Sequence, residues 1–436
     1  MLTKPAAPEL TTEVPRQGFK ATASSAIGFA LDFYDLYVIV FIAPVIASVF
    51  FPSAERTLSL AGAYVTLAAT LIMRPVGAVL LGGVADRHGR KRSMVVALAG
   101  VGTVTALMGL LPTTHQIGVL APILLLLLRL VQGLFVGGVF ASTLTLATES
   151  VSPRRRGLAS GLVGGGGTAA GSVLASLALF AALRVFPGPG FDDWGWRAMF
   201  LAGGLPIVLS FFVMRYVEES PVWKAPAAGA RRPLRALLAP GRRRVLAVNV
   251  AVVFGIGTSF LLTLGFLPTY LQVVVGLPSD VVSTILIWVN LAAFVFAPLS
   301  GHLSERYGRR RVMFALSSIN VFALPLLYLW LAGLRGDGPS PLVIGITLLA
   351  SCLTVAAFGP LPIFLNERFA TGVRASGTAL SVNIGFALAG LVPTLVNATS
   401  GGTGRLPVFA AAGLFLAGAV TLACLSRTPE PGRGLD

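Results

Sequence analysis

The sequence predicts an all-α membrane protein, with twelve transmembrane helices in two pseudo-symmetric bundles of six. Three observations predict it. The 436 residues are 55% hydrophobic and only 11% charged, with a mean hydropathy of +0.84, whereas a soluble chain carries about 25% charged residues. Apolar runs long enough to span a bilayer, about 20 residues each, recur along the whole chain. A basic stretch between two such runs, Gly82-Gly83-Val84-Ala85-Asp86-Arg87-His88-Gly89-Arg90-Lys91-Arg92, returns in the second half as Gly301-His302-Leu303-Ser304-Glu305-Arg306-Tyr307-Gly308-Arg309-Arg310-Arg311.

Residues 1–20 form a tail. The first apolar run, 22–50, is too long for a signal-peptide core and lacks a convincing cleavage site, so it stays as the first helix. The following spans are expected at 59–84, 93–112, 119–147, 157–185 and 195–216. A Pro-, Ala- and Arg-rich linker, 217–244, divides this half (21–216) from a second (245–426). The second half holds runs at 245–274, 280–304, 312–334, 341–366, 375–397 and 405–426, and a tail at 427–436. Arginine clusters at 90–92, 154–156, 231–232, 242–244 and 309–311 all lie in alternate connections. The positive-inside rule then puts both termini and the linker in the cytoplasm of a multi-pass plasma-membrane protein. Those short basic loops account for the net charge of +16 without nucleic acid as a partner. Cys352 and Cys424 are isolated and His88, His115 and His302 scattered, so neither a disulfide framework nor a metal centre is indicated.

Glycines at i and i+4 let membrane helices approach closely. Gly133/Gly137, Gly157/Gly161 and Gly167/Gly171 have that spacing, and the run Gly164–Gly167 also offers the fifth helix a place to bend.

Ionisable residues inside spans are expensive and are the best pointers to function. Asp32 and Asp35 stand at i and i+3 on one face of the first helix, flanked by Tyr34 and Tyr37, at a depth of roughly 15–20 Å. Arg129 of the fourth helix lies at a similar depth, with Gln132 on its face. An Asp–Arg interaction in a central cavity is therefore expected. Desolvation and the guanidinium would set when such a carboxylate takes a proton; the other reading is a static lock, although two acids facing one base leave an acid that a lock does not need. Which of Asp32 and Asp35 titrates stays open. Arg74 of the second helix either holds an anionic group, pairs with Asp35, or snorkels inward. The second half is almost free of charge within its spans. Its candidate substrate contacts are Tyr270, Trp288, Asn290 and Asn383, which join Arg74, Arg129, Gln132, Tyr34 and Tyr37 of the first half; a single Asn is more often interhelical glue.

The stretch G-x-x-x-D-R-x-G-R-[KR]-[KR] resembles the loop after the second helix of major facilitator superfamily transporters, and Arg129-Leu130-Val131-Gln132-Gly133 resembles their fourth-helix R-x-x-Q-G motif. Phe33-Tyr34-Asp35, Arg74-Pro75-Val76-Gly77, Trp194 to Phe200 and Glu218-Glu219-Ser220-Pro221 narrow the likeness to the metabolite:H+ symporter branch, which carries α-ketoglutarate, citrate, shikimate, proline and betaine. The likeness runs from about residue 20 to 425. The chain departs from that branch at Asp32, where Glu is common, and at Val139, where an acid often stands. It also lacks the fifth-helix Gly-Pro signature of drug:H+ antiporters.

The resemblance implies substrate binding near the midplane and an inner gate of salt bridges. Gate candidates are Asp86, Arg90, Glu149, Arg156, Glu305, Arg309, Glu367 and Arg374, the acids and arginines recurring at matching places in both halves. The expected protein is no enzyme and has no cofactor. It is a monomer that imports a small polar metabolite, an organic acid, driven by the proton gradient. Proton-driven export on the same fold is the alternative; a membrane sensor is a third reading, for which the linker is too short to hold a domain.

Overall fold

A computed structural model describes residues 14–88, 90–149, 159, 161–216, 239, 242–336, 338–369 and 373–430. Among these, eleven helices are long and apolar enough to cross a membrane, and a bent pair makes a twelfth span. The spans are α1 (Val14–Phe41, continued by Ala43–Phe50), α2 (Arg56–His88), α3 (Arg90–Gly109), α4 (Leu120–Glu149), α5 (Leu162–Val185) and α6 (191–216). In the second half they are α7 (Arg242–Gly265, prolonged to Val275), α8 (Ser279–Tyr307), α9 (Arg309–Gly333), α10 (Pro341–Glu367), α11 (Arg374–Thr399) and α12 (Leu406–Ser426). Every expected apolar run became a span. The largest boundary difference is at α1, which begins well before residue 22, and α2 runs on to His88 through the motif glycines.

Interruptions follow from local chemistry. Pro44 sits in the first turn after Ile42, where its ring cannot continue the preceding hydrogen-bond ladder, and α1 bends there by 61°. Wider π-type turns occur in α5 at Leu162–Gly166 and in α7 at Leu261–Gly265 and Leu271–Val275. In α5 that turn coincides with the glycine run; in α7 the two turns flank Pro268.

Small residues set the closest approaches. A Cβ on Gly133 would collide with the Thr70 carbonyl, one on Gly137 with the Arg74 carbonyl, and one on Gly77 with the Leu134 carbonyl. The α2–α4 contact is therefore made backbone to backbone. Gly167 and Gly171 seat α5 on α1 in the same way, against Phe29 and the Ala30 carbonyl. A Cβ on Gly161 would instead stand 2.8 Å from the Cα of Pro298 in α8, and α5 packs on α8, so it joins the two halves. The halves also meet where α2 packs on α11 and α1 approaches α7. Large apolar side chains such as Leu127, Phe211, Phe322 and Leu416 stay exposed, which suits a surface solvated by lipid.

A testable consequence concerns this contact. Gly137→Ala is expected to lower the thermal unfolding midpoint of the detergent-purified protein, at a cost of about 1–3 kcal/mol. Gly333→Ala, with nothing near its added methyl, should leave the midpoint unchanged.

Candidate functional site

The deepest charges form two bridges inside the first half. Arg74 of α2 grips Asp32 of α1 with both terminal nitrogens, Nη2 donating to Oδ1 at 3.2 Å and Nη1 to Oδ2 at 3.5 Å. One turn along α1, Arg129 of α4 donates through Nη1 to Asp35 Oδ2 at 3.4 Å. All four side chains are buried, so each charge depends on its partner for the solvation that water would supply.

Asp35 has the richer surroundings. Gln132 Nε2 donates to its Oδ1 at 2.8 Å and Gln132 Oε1 accepts from Arg129 Nη1 at 2.8 Å. The amide thus touches both members of the bridge, as an i, i+3 placement on α4 allows. The Thr105 hydroxyl of α3 lies 2.8 Å from the same Asp35 oxygen. The guanidinium of Arg129 also lies over the Phe200 ring of α6, 5.4 Å from its centroid, an arrangement favourable to a cation. Its Nε and Nη2, like Nε of Arg74, have no hydrogen-bond partner among the described residues.

Two expectations need correction. Arg74 pairs with Asp32, not Asp35, so the bridges contain two acids and two bases with no excess acid. And the Asp35–Arg129 interaction lies within the first half, not in a cavity between halves: among the described residues, the hydrogen-bond partners of Asp32 and Asp35 come from α2, α3 and α4. A small crevice with Asp32 in its wall is bounded by Gly28, Leu31, Leu98, Val101, Val136 and Pro206, again all first-half residues.

The seam between the halves is aromatic. On α1, Phe33 and Tyr37 face Phe260 of α7 at ring distances of 6.1 and 6.5 Å, and Phe260 meets Phe358 of α10 and Phe386 of α11 at 5.4 and 6.2 Å. The buried hydroxyl of Tyr37 lies beside that of Ser172 of α5. Tyr34 turns elsewhere and donates to the Met199 carbonyl of α6 at 2.9 Å. Toward the end of α2 remote from the basic loops, the Tyr64 hydroxyl bridges the halves, 2.9 Å from Thr269 Oγ1 and 3.4 Å from the Gly265 carbonyl.

The second-half candidates are not brought together. Trp288 is 58% exposed, on the same outward stripe of α8 as Leu291 and Val295. The amides of Asn290 and Asn383 donate to the carbonyls of Leu286 and Ala379 in their own helices. Tyr270 donates to the Tyr328 carbonyl at 2.6 Å, within its own half. Sequence reasoning missed Thr105, Ser172 and Tyr64, because a hydroxyl in an apolar run most often bonds its own helix backbone.

At the basic end, Arg309 of α9 bridges to Glu367 of α10, with Nε 3.4 Å from Oε2, and Glu305 sits 3.3 Å from His302 Nδ1. Glu430 accepts from the Arg310 backbone N–H at 3.1 Å, supplying an acceptor for a free donor in the first turn of α9. The side chains of Asp86, Arg90, Glu149 and Arg374, and the whole of Arg156, lie outside the described residues. At the opposite end the Trp194–Phe200 phrase has a structural task. Arg197 donates to the Gly109 and Leu111 carbonyls at 3.0 and 2.7 Å and stacks on Trp196, tying α6 to the end of α3.

Twelve apolar spans around buried ion pairs define a polytopic membrane transporter. The chain belongs to the Major Facilitator Superfamily, whose pattern matches residues 25–392. It is 31% identical over 422 residues to the inner membrane metabolite transport protein YhjE of Escherichia coli, covering 93% of each chain. It is also 30% identical to the citrate-proton symporter of Klebsiella pneumoniae, covering 85% of this chain and 83% of that one. In fold it resembles the partially occluded, inward-open xylose transporter XylE from E. coli, with a TM-score of 0.69 at 19% identity over 95% of this chain and 98% of that one. The protein is a transporter, not an enzyme.

Breaking one bridge tests its energetics. Arg74→Ala should cost about 3–5 kcal/mol by stranding a buried carboxylate. Asp32→Ala together with Arg74→Ala should cost less than Arg74→Ala alone. Thermal unfolding in detergent reads both, and simple additivity would show that the two groups are uncoupled.

Proposed function

We propose that this chain is a proton symporter that carries a small organic acid into the cytoplasm by alternating access. What supports the reading above all is the pair of buried carboxylate–guanidinium bridges on the first helix. A buried ion pair is a poor way to hold helices together, since apolar side chains of similar volume hold them as well or better. Its value lies in being breakable: a proton on the carboxylate removes one charge and frees the arginine.

Asp35 is the proton carrier in this reading, and Asp32 the second carboxylate of the set. Arg129 is the first partner released, and its unpaired Nε and Nη2 then have reason to seek an anion. A proton and an anionic substrate entering together keep the interior near neutrality, which favours symport of an acid. The likeness to a citrate-proton symporter agrees with that substrate class.

The substrate binds at the aromatic seam, beside the buried Tyr37 and Ser172 hydroxyls. The halves, 21–216 and 245–426, then rock about it. Tyr64 with Thr269 closes one end. At the other, Arg309–Glu367 serves the gate together with the motif residues Asp86, Arg90, Glu149, Arg156 and Arg374. The basic loops put that gate and both termini on the cytoplasmic side.

Proteoliposomes test the proposal. With an inward proton gradient, one of a panel of labelled citrate, α-ketoglutarate, aromatic acids, proline and betaine should accumulate. Its addition to weakly buffered vesicles without a gradient should make the external medium more alkaline. Accumulation of proline or betaine alone would move the substrate class. Efflux driven by protons entering in the opposite sense would replace symport with export.

A further inference from the structure

The Thr105 hydroxyl has one proton and two acceptors at equal distance: Asp35 Oδ1 at 2.8 Å and the Val101 carbonyl at 2.8 Å. It also accepts from Gln132 Nε2 at 2.7 Å. A hydroxyl donates once and accepts twice, so only one of the two donor contacts exists at a time. We propose that Thr105 is a positioning residue for proton uptake by Asp35, its hydroxyl proton switching between the carboxylate and the Val101 carbonyl as Asp35 loses and gains its proton. The inference rests on Asp35 as the proton carrier.

At the Thr105 hydroxyl itself, both states close without an orphaned donor or acceptor. With Asp35 charged, Thr105 donates to Oδ1, and Val101 O keeps the backbone bond of its own helix. With a proton on Oδ1, Asp35 donates to Thr105 Oγ1 and Thr105 donates to Val101. Gln132 Nε2 supplies the hydroxyl oxygen with its second accepted bond. The exchange needs rotation about one C–O bond and no movement of heavy atoms. In a buried interior, this removes the penalty of an unsatisfied group that otherwise accompanies one state or the other. Thr105 is fully buried, so no solvent replaces it.

The other groups around Asp35 do not offer this. Arg129 from α4 is a donor only. Asp32 on α1 is engaged by Arg74 of α2, and Tyr34 donates to Met199 of α6. From α6, Phe200 presents a ring face to Arg129. Gln132 bonds both Asp35 and Arg129, and turning its amide to accept from a protonated Asp35 would set its NH2 against the donor-only guanidinium of Arg129.

The test is infrared difference spectroscopy of the purified full-length protein, following the carboxylic-acid band as pH is stepped. Asp35→Asn identifies the band by removing it. Thr105→Val keeps the shape and removes the hydroxyl, and should change the proton affinity of Asp35 about tenfold or more. Thr105→Ser should stay within about twofold of the wild type. Thr105→Ala provides a second hydroxyl-free variant should valine fail to fold. A wild-type titration in folded Val or Ala variants would overturn the role of Thr105 and leave Asp35 as the carrier. Absence of any band lost in Asp35→Asn would overturn both.

Discussion

A charge inside a membrane protein needs a partner, and the first half of this molecule is arranged around two such needs. Asp32 and Asp35 sit one turn apart on α1 and are met from different sides, by Arg74 of α2 and by Arg129, Gln132 and Thr105 of α4 and α3. The glycines that let α2 and α4 touch through their backbones also bring the two arginines to the same helix. Packing and electrostatics are therefore one design: Gly137 abuts the carbonyl of the very residue, Arg74, that holds Asp32.

Among the described residues, the second half shows no comparable network of paired charges near the middle of its spans. Its buried polar side chains mostly bond backbone carbonyls of their own or a neighbouring helix, as Asn290 and Asn383 do in their own helices and Tyr270 does at Tyr328. Between the halves lie aromatic rings and hydroxyls, with the ion pairs set back behind Phe33 and Tyr37. Such a seam can separate and re-form without stripping a charge from its partner, which suits halves that must move. The π-type turns of α5 and α7 lie in two of the helices that flank it; such turns often mark functional places in helices.

Much of this was legible from residue types alone. The spans followed from apolar runs, and Asp32, Asp35, Arg129 and Gln132 stood out because the bilayer makes such side chains costly. Their pairing was less legible, since it depends on how each helix is rotated and which helices adjoin. Hence Arg74 was assigned three alternatives, and its observed partner, Asp32, was not among them. Trp288 and the asparagines were chosen for polarity in apolar runs, but rotation turned Trp288 outward and backbone carbonyls captured the amides. Thr105 carried no signal that distinguishes it from other threonines in apolar runs. Only the neighbouring carboxylate gives it a role.

The central claim is that coupling resides in the first-half bridges and substrate binding at the seam. It is tested most directly by comparing two transport modes of Asp35→Asn, using whichever substrate accumulates in the wild type. Counterflow exchanges labelled for unlabelled substrate and needs no proton gradient; active accumulation does. The account predicts that counterflow persists in this variant while gradient-driven accumulation is lost. Loss of both to the same degree would place Asp35 in substrate binding or in the integrity of the bundle, and would contradict the separation.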